Sequence, residues 1–295
     1  YMFERFSSGV QPDADAFIDV ITGAKAPRRV HFVELFLDEV VEEEVARRFD
    51  LLDGLNRADP FYDLDRRIRV QRFLGYDFVY EYHFPGFDFQ RSKLHTVDTA
   101  QTGMARDGRD WINESIGPVT TWEEFEKFPW PEPSKIDFSA LEWLEKNLPD
   151  DMCMTSRAHS IFEELSWRFG LESLSYALYD APDLVKAVAD RIGEIHLAVA
   201  QSHVQFSKLR FFFGGDDMGH KTATMVSPAA LREYVLPWHK KIAAVAHAAG
   251  RPYLLHTCGN VEAVMGDLVD DVGIDGRHSF EDTIEPVEDF YGRWG

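Results

Sequence analysis

The sequence predicts an α/β fold built on a parallel sheet, closed or open. Three observations carry this prediction. Short apolar runs of strand length alternate with helical periodicities along the chain. Polar and ionisable residues recur at the ends of those runs, where a barrel keeps its chemistry. The 295 residues, 45% of them hydrophobic, suffice for one large core, so residues 1–295 are expected to form a single domain.

Residues 12–23 carry a short helical period, opened by Asp13 or Asp15 and closed by Gly23. Beyond the basic Lys25–Arg29 stretch, the run Val30-His-Phe-Val-Glu-Leu-Phe36 is expected to be the first strand. The acidic stretch 38–56 is helical in spacing, with Val40, Val41, Val45, Phe49 and Leu52 on one stripe. A helix over 63–74 then leads to a second strand, Asp77–His83. From about 84 to 150 the periodicity weakens among aromatics, prolines and the acidic Trp122–Glu126 segment. This stretch is expected to be an insertion with an edge hairpin, an extended cover at Phe128–Pro133 and a short helix near 138–147. Insertions after a barrel strand tend to frame an active site.

Met152–Thr155 is the third expected strand, followed by a loop with Arg157, His159 and Glu163. Helices are expected over 161–179 and 183–206, broken at Asp180-Ala-Pro182, where proline suits a first turn. Lys208–Phe213 is the fourth strand and ends in Gly214-Gly-Asp-Asp-Met-Gly219. Ser227-Pro228 caps a helix kinked at Pro237. Arg251–Thr257 is the fifth strand, a helix over 261–271 stops at Gly273, and Ile274–Phe280 is the sixth. Six strands stand against the eight of a closed barrel, and Phe290–Gly295 reads as the approach to another.

Charge narrows the partners. With 31 basic and 51 acidic side chains the formal net charge is −20, which argues against a nucleic-acid groove or an anionic membrane surface. A small-molecule partner, or a protein met through local patches, fits better. The two cysteines, Cys153 and Cys258, make no disulfide framework and suit a reducing compartment. No apolar run is long enough to span a bilayer and no signal peptide opens the sequence, so a cytoplasmic location is expected.

The chemistry is most legible in Arg251-Pro-Tyr-Leu-Leu-His-Thr-Cys-Gly-Asn260. Side chains alternate across a strand, so His256 and Cys258 face one side at its C-terminal end, where zinc could be held. Two donors are fewer than zinc needs from a protein, and the same pair also fits a packed strand with a thiol in the core. Asp216 and Asp217 are adjacent, so only one can face the barrel axis, as an acid, a base, a ligand contact or a helix cap. Glu34 is a further metal ligand, an orienting carboxylate or half of an ion pair. Arg157 and His159 are placed to bind a substrate carboxylate or phosphate, or to form a surface salt bridge. His83, His220, Lys221 and His278 carry a weaker signal, and His203, His239 and His247 lie within helices, where an exposed structural role is expected.

Gly214-Gly-Asp-Asp-Met-Gly-His-Lys-Thr-Ala-Thr-Met-Val-Ser-Pro228, the helix through Val235-Leu-Pro-Trp238 and Leu254-Leu-His-Thr-Cys-Gly-Asn260 resemble the uroporphyrinogen decarboxylase superfamily. That superfamily also contains the cobamide-dependent methyltransferases. Phe169–Leu174 and Asp180–Asp183 fit it too, and the similarity runs over essentially the whole chain, weakest in 84–135. The resemblance implies a (β/α)8 TIM barrel of somewhat greater length, whose last strand-helix units are expected to be lacking here. Its zinc methyltransferases hold the metal by a His-x-Cys motif and a later cysteine. His256 and Cys258 match the first part, whereas no cysteine follows Cys258, so the last ligand lies beyond Gly295 or this branch lacks zinc.

The decarboxylase branch binds a polycarboxylate through an arginine-rich motif just after the first strand. This chain has Glu34 and Asp38 there, and two acids would repel such a substrate, so it is expected not to be a true uroporphyrinogen decarboxylase. Glu81 is a loose counterpart of that branch's catalytic aspartate. The resemblance therefore implies a zinc-assisted methyltransferase acting between a small substrate and a thiol or a corrinoid on a partner protein. His256 and Cys258 are the expected metal ligands, Asp216, Glu34 and Glu81 the catalytic carboxylates, and Arg157, His159, Asp217, His220 and His278 the substrate contacts. A metal-independent decarboxylase and a non-catalytic tetrapyrrole- or corrinoid-binding module are the alternatives. A homodimer is expected, because the superfamily often dimerises and an incomplete barrel exposes strand edges.

Overall fold

The structure is a computed structural model that describes residues 9–81, 93–97, 108–112, 115, 117–157 and 160–295. Helices α1 (Ala14–Ile21), α2 (Glu39–Arg48) and α3 (Tyr62–Leu74) precede β1 (Phe78–Glu81). The insertion holds β2 (Lys93–Thr96), β3 (Arg109–Ile112), α4 (Trp122–Lys127) and α5 (Ser139–Asn147). Then follow β4 (Cys153–Arg157), α6 (Phe162–Phe169), α7 (Leu171–Asp180), α8 (Pro182–His203) and β5 (Leu209–Gly215). The remainder comprises α9 (Pro228–Ala230), α10 (Leu236–Ala248), β6 (Tyr253–His256), α11 (Glu262–Gly266), β7 (Gly276–His278) and α12 (Val287–Trp294).

Five strands form one parallel sheet in the order β1-β4-β5-β6-β7, as expected of an α/β fold with helical crossovers. Alternation across the strands divides the core in two. Val79, Met154, Leu209, Phe212, Tyr253 and Leu255 face the helices, where Leu144, Leu165, Val188, Ile192, Val199 and Ile242 meet them. Phe78, Tyr80, Cys153, Phe211, Phe213 and Leu254 face the other way, the inner face of the sheet, and α1 lays Ala14 and Phe17 against them. Phe17 meets Phe211 edge-on at 5.3 Å and Phe78 meets Phe211 at 5.1 Å. These T-shaped pairs put ring edges against ring faces in the favoured sense. The backbone N–H of Asp13, at the start of α1, donates to the buried Asp77 at 2.7 Å, which holds that helix at the N-terminal end of the sheet. The opposite, C-terminal end is left for the polar residues.

The first strand expected at Val30–Phe36 is not one: residues 30–38 join no ladder. The alternation that suggested it is present. Val33 and Leu35 pack on the inner core, while Phe32 and Phe36 are exposed. The backbone, however, crosses the inner face and is tied by side chains. Arg29 and His31 bind Asp77, the backbone N–H of Leu37 donates to the Tyr80 hydroxyl, and the Val33 carbonyl meets Nε2 of His278 at 3.0 Å.

Other boundaries also move. The helix expected over 161–179 is broken at Gly170, whose φ of +78° a residue with a Cβ adopts only at a cost. The kink expected at Pro237 takes the form of a π turn at Leu231–Val235, which absorbs the missing N–H of the proline within a continuous helix. In the insertion, Trp122–Lys127 is a helix fixed by a capping box between Thr121 and Glu124, and β2 and β3 pair antiparallel. Phe290–Gly295, expected to approach a strand, falls instead in and just past α12, which runs from Val287 to Trp294. No helix among the described residues is long and apolar enough to cross a membrane.

Candidate functional site

Strand parity decides which side chains reach the C-terminal end of the sheet. Leu254 points into the inner core, so His256 does too, and Cys258 continues that side beyond the strand. Nε2 of His256 lies 3.3 Å from Sγ of Cys258. The loop after β5 supplies a third donor, because Oδ1 of Asp217 lies 3.3 Å from the same Nε2 and accepts the Cys258 backbone N–H at 2.9 Å. One ligand atom from each of Asp217, His256 and Cys258 falls within 4.8 Å of the others.

Two glycines allow this approach. A Cβ on Gly219 would stand 2.5 Å from the Cys258 carbonyl oxygen, and one on Gly259 would stand 2.3 Å from the Gly219 carbonyl carbon. Gly259 also has φ +75°. The loops after β5 and β6 thus touch backbone to backbone, joined by Gly219 N–H to Cys258 O at 3.1 Å and Asn260 N–H to His220 O at 2.8 Å. Ser279 lies against the same cluster, its hydroxyl 3.5 Å from Sγ of Cys258. It adopts φ +79°, a left-handed conformation that costs a non-glycine residue about 1–2 kcal/mol.

The local field favours an anion at Asp217 and a neutral thiol at Cys258. Burial pushes Asp217 up, but the His256 and Cys258 hydrogen bonds outweigh it and leave its carboxyl below the usual range. Burial drives Cys258 up to about 11, opposed by the Ser279 hydroxyl and reinforced by the Asp217 charge. Nδ1 of His256 lies 2.7 Å from Nδ1 of His278, whose Nε2 meets the Val33 carbonyl. A thiol, an imidazole and a carboxylate converging on one point is a donor set that suits zinc. Three protein donors leave a fourth position open.

The other predicted residues fall elsewhere. Asp216 is fully buried and accepts the N–H groups of Ile161, Phe162 and Glu163 at 2.8–3.0 Å, so it caps α6 from a distance. Its remaining bonds are to the Ser160 hydroxyl and, at 2.8 Å, to Nε2 of His239. Of the roles open to the aspartate pair, Asp216 takes the cap and Asp217 the cluster. Glu34 is exposed on the opposite face of its segment, beside the buried Tyr76, whose hydroxyl burial and then the Glu34 charge push up to about 12. The structure does not bring Glu34 to the cluster. His220 is exposed, and only its backbone joins the loop contact. Glu81 ends β1 and Arg157 ends β4, but their side chains, like all of His83 and His159, lie outside the described residues.

Two histidines expected to be exposed are buried instead. His239 bridges Asp216 and the Tyr253 hydroxyl, and His203 bonds to Ser156 at 2.5 Å, with burial driving it down to about 3. Glu163, which the sequence placed in the loop after the third strand without a role, gains one from the structure. Burial, then the charges of Asp216 and Asp217, raise it to about 8, so it keeps a proton at neutral pH beside the cluster. Its place beside Arg157 and His159, after the end of an expected strand, was the available signal.

Residues 113–290 match the family described as Uroporphyrinogen decarboxylase (URO-D), well over half of the chain. No match is found among curated proteins. Among solved structures, a methyltransferase from Methanosarcina mazei is similar over 90% of this chain and 75% of that one, with a TM-score of 0.59 and 13% sequence identity. At that identity the likeness is one of fold. The family match and a parallel sheet carrying its polar groups at one end agree, and the chain belongs to the uroporphyrinogen decarboxylase family.

Proposed function

We propose that the protein is an enzyme of the methyltransferase side of this family, moving a methyl group between a small substrate and a thiol or a corrinoid carried by a partner protein. The observation that supports this reading is the convergence of Asp217, His256 and Cys258 within 4.8 Å. Asp217 stands where a third donor is needed, although no cysteine follows Cys258 in this chain. Zinc bound by these three residues would lower the pKa of a substrate thiol or polarise a methyl-bearing oxygen at the open position. The chain's own residues do the rest. With zinc bound, Cys258 would be held as a thiolate and Asp217 as a carboxylate, and Glu163, which keeps its proton, would supply it to a departing group.

The metal-independent decarboxylase reading has one observation in its favour, the same protonated Glu163, which could protonate a carbanion equivalent. Two measurements separate the readings. Zinc content after purification without added metal, followed by methyl transfer to or from free cobalamin read in the visible spectrum, tests the first. A metal-free protein with unchanged methyl transfer removes zinc from the reading, a zinc-loaded protein without methyl transfer rules the reading out, and release of carbon dioxide from a candidate acid supports the second.

A further inference from the structure

The His256–His278 contact goes beyond what zinc binding alone requires, and its direction follows from elementary hydrogen-bond chemistry. A carbonyl oxygen only accepts, so the 3.0 Å contact between the Val33 carbonyl and Nε2 of His278 places a proton on that nitrogen. A neutral imidazole carries one N–H, and Nδ1 of His278 is then a lone pair. The 2.7 Å contact between the two Nδ1 atoms needs one proton, and it must come from His256. In the neutral ring this leaves Nε2 of His256 without a proton and turned toward Cys258 and Asp217 at 3.3 Å each, whereas a second proton on His256 would sit on Nε2 and be donated to the Asp217 carboxylate. We propose that His278 is a positioning residue, which the Val33 carbonyl fixes as the Nε2–H tautomer so that His256 presents its ligating nitrogen to Cys258 and Asp217.

This inference rests on the metal reading of the cluster for its purpose, but not for its geometry. A metal-bound histidine characteristically donates its second N–H to a fixed acceptor, which sets both its tautomer and its ring plane. Here the acceptor is another histidine, itself fixed by backbone that crosses the inner face. The crossing of residues 30–37 thereby acquires a reason: it delivers the Val33 carbonyl to the far edge of the sheet, opposite β7.

Nitrogen NMR of the metal-free full chain with labelled histidine is expected to show His256 protonated at Nδ1 and His278 at Nε2. His256 protonated at Nε2, or His278 carrying both protons, would overturn the proposal. Zinc affinity supplies the second reading. His278→Leu should weaken zinc binding by about 10–100-fold, and His278→Asn, which keeps an acceptor near the Nδ1 position, should restore most of it. Equal zinc affinity in the wild type and in a folded His278→Leu overturns the positioning role. A wild type that binds no zinc yet shows the expected tautomers upholds the orientation of His256 while the metal reading fails.

Discussion

Asp216 and Asp217 share a peptide bond and serve different ends of the site: the first takes the N–H groups that open α6, the second lies 3.3 Å from His256. Their substitutions should therefore separate cleanly. Asp216→Asn puts an amide against three backbone donors and should destabilise the fold by roughly 2–4 kcal/mol, seen as a lower urea midpoint. Asp217→Asn should change stability by less than about 1 kcal/mol while lowering zinc content.

Cys258→Ser removes the soft ligand and keeps the size of the side chain. Zinc retained after dialysis against a weak chelator should fall by about tenfold or more, with the circular dichroism spectrum unchanged. Full retention of zinc would remove Cys258 from the proposed donor set.

Gly259→Ala asks for a Cβ at φ +75° and 2.3 Å from the Gly219 carbonyl carbon. The loops after β5 and β6 must part to admit it. A stability loss of roughly 1–3 kcal/mol is expected, together with loss of zinc, because Asp217 and Cys258 sit on the separated loops.

Glu163 titrates at about 8 in the folded chain against an ordinary 4.5, so between those values the native state holds a proton that the unfolded chain has released. Its contribution to stability is fully present below the unfolded value and is lost as pH rises through the folded one, a decline on the order of 5 kcal/mol. Glu163→Gln should remove that slope. Urea midpoints from about pH 5 to about pH 9 check it, and equal slopes in both proteins would discount Glu163 as the group holding the proton.

Much of the fold was legible because local pattern and burial agree. The stripe Leu184, Val188, Ile192, Ile195 and Val199 is buried in α8, and the apolar run Tyr253-Leu-Leu255 is the buried strand it resembles. The segment 30–36 shows the limit of such reading. Period-two alternation encodes an inner and an outer side, and Val33 and Phe32 honour it, but alternation does not encode a neighbouring strand. At the site, His256 and Cys258 were readable because their relation is local. The cap made by Asp216 was not, since its partners lie 53–55 residues upstream. His239 and His203 were misread for the same reason. Each is buried by a bond to a distant strand, at Tyr253 and Ser156, that no helical period can announce.

The adjacency of the two aspartates has a mechanical consequence. The start of a helix and the rim of the cluster hang from consecutive links of the chain, so a slide of α6 reaches the imidazole of His256 through a single amide unit. A molecule leaning on the opening turn of that helix would retune the donors without touching one of them.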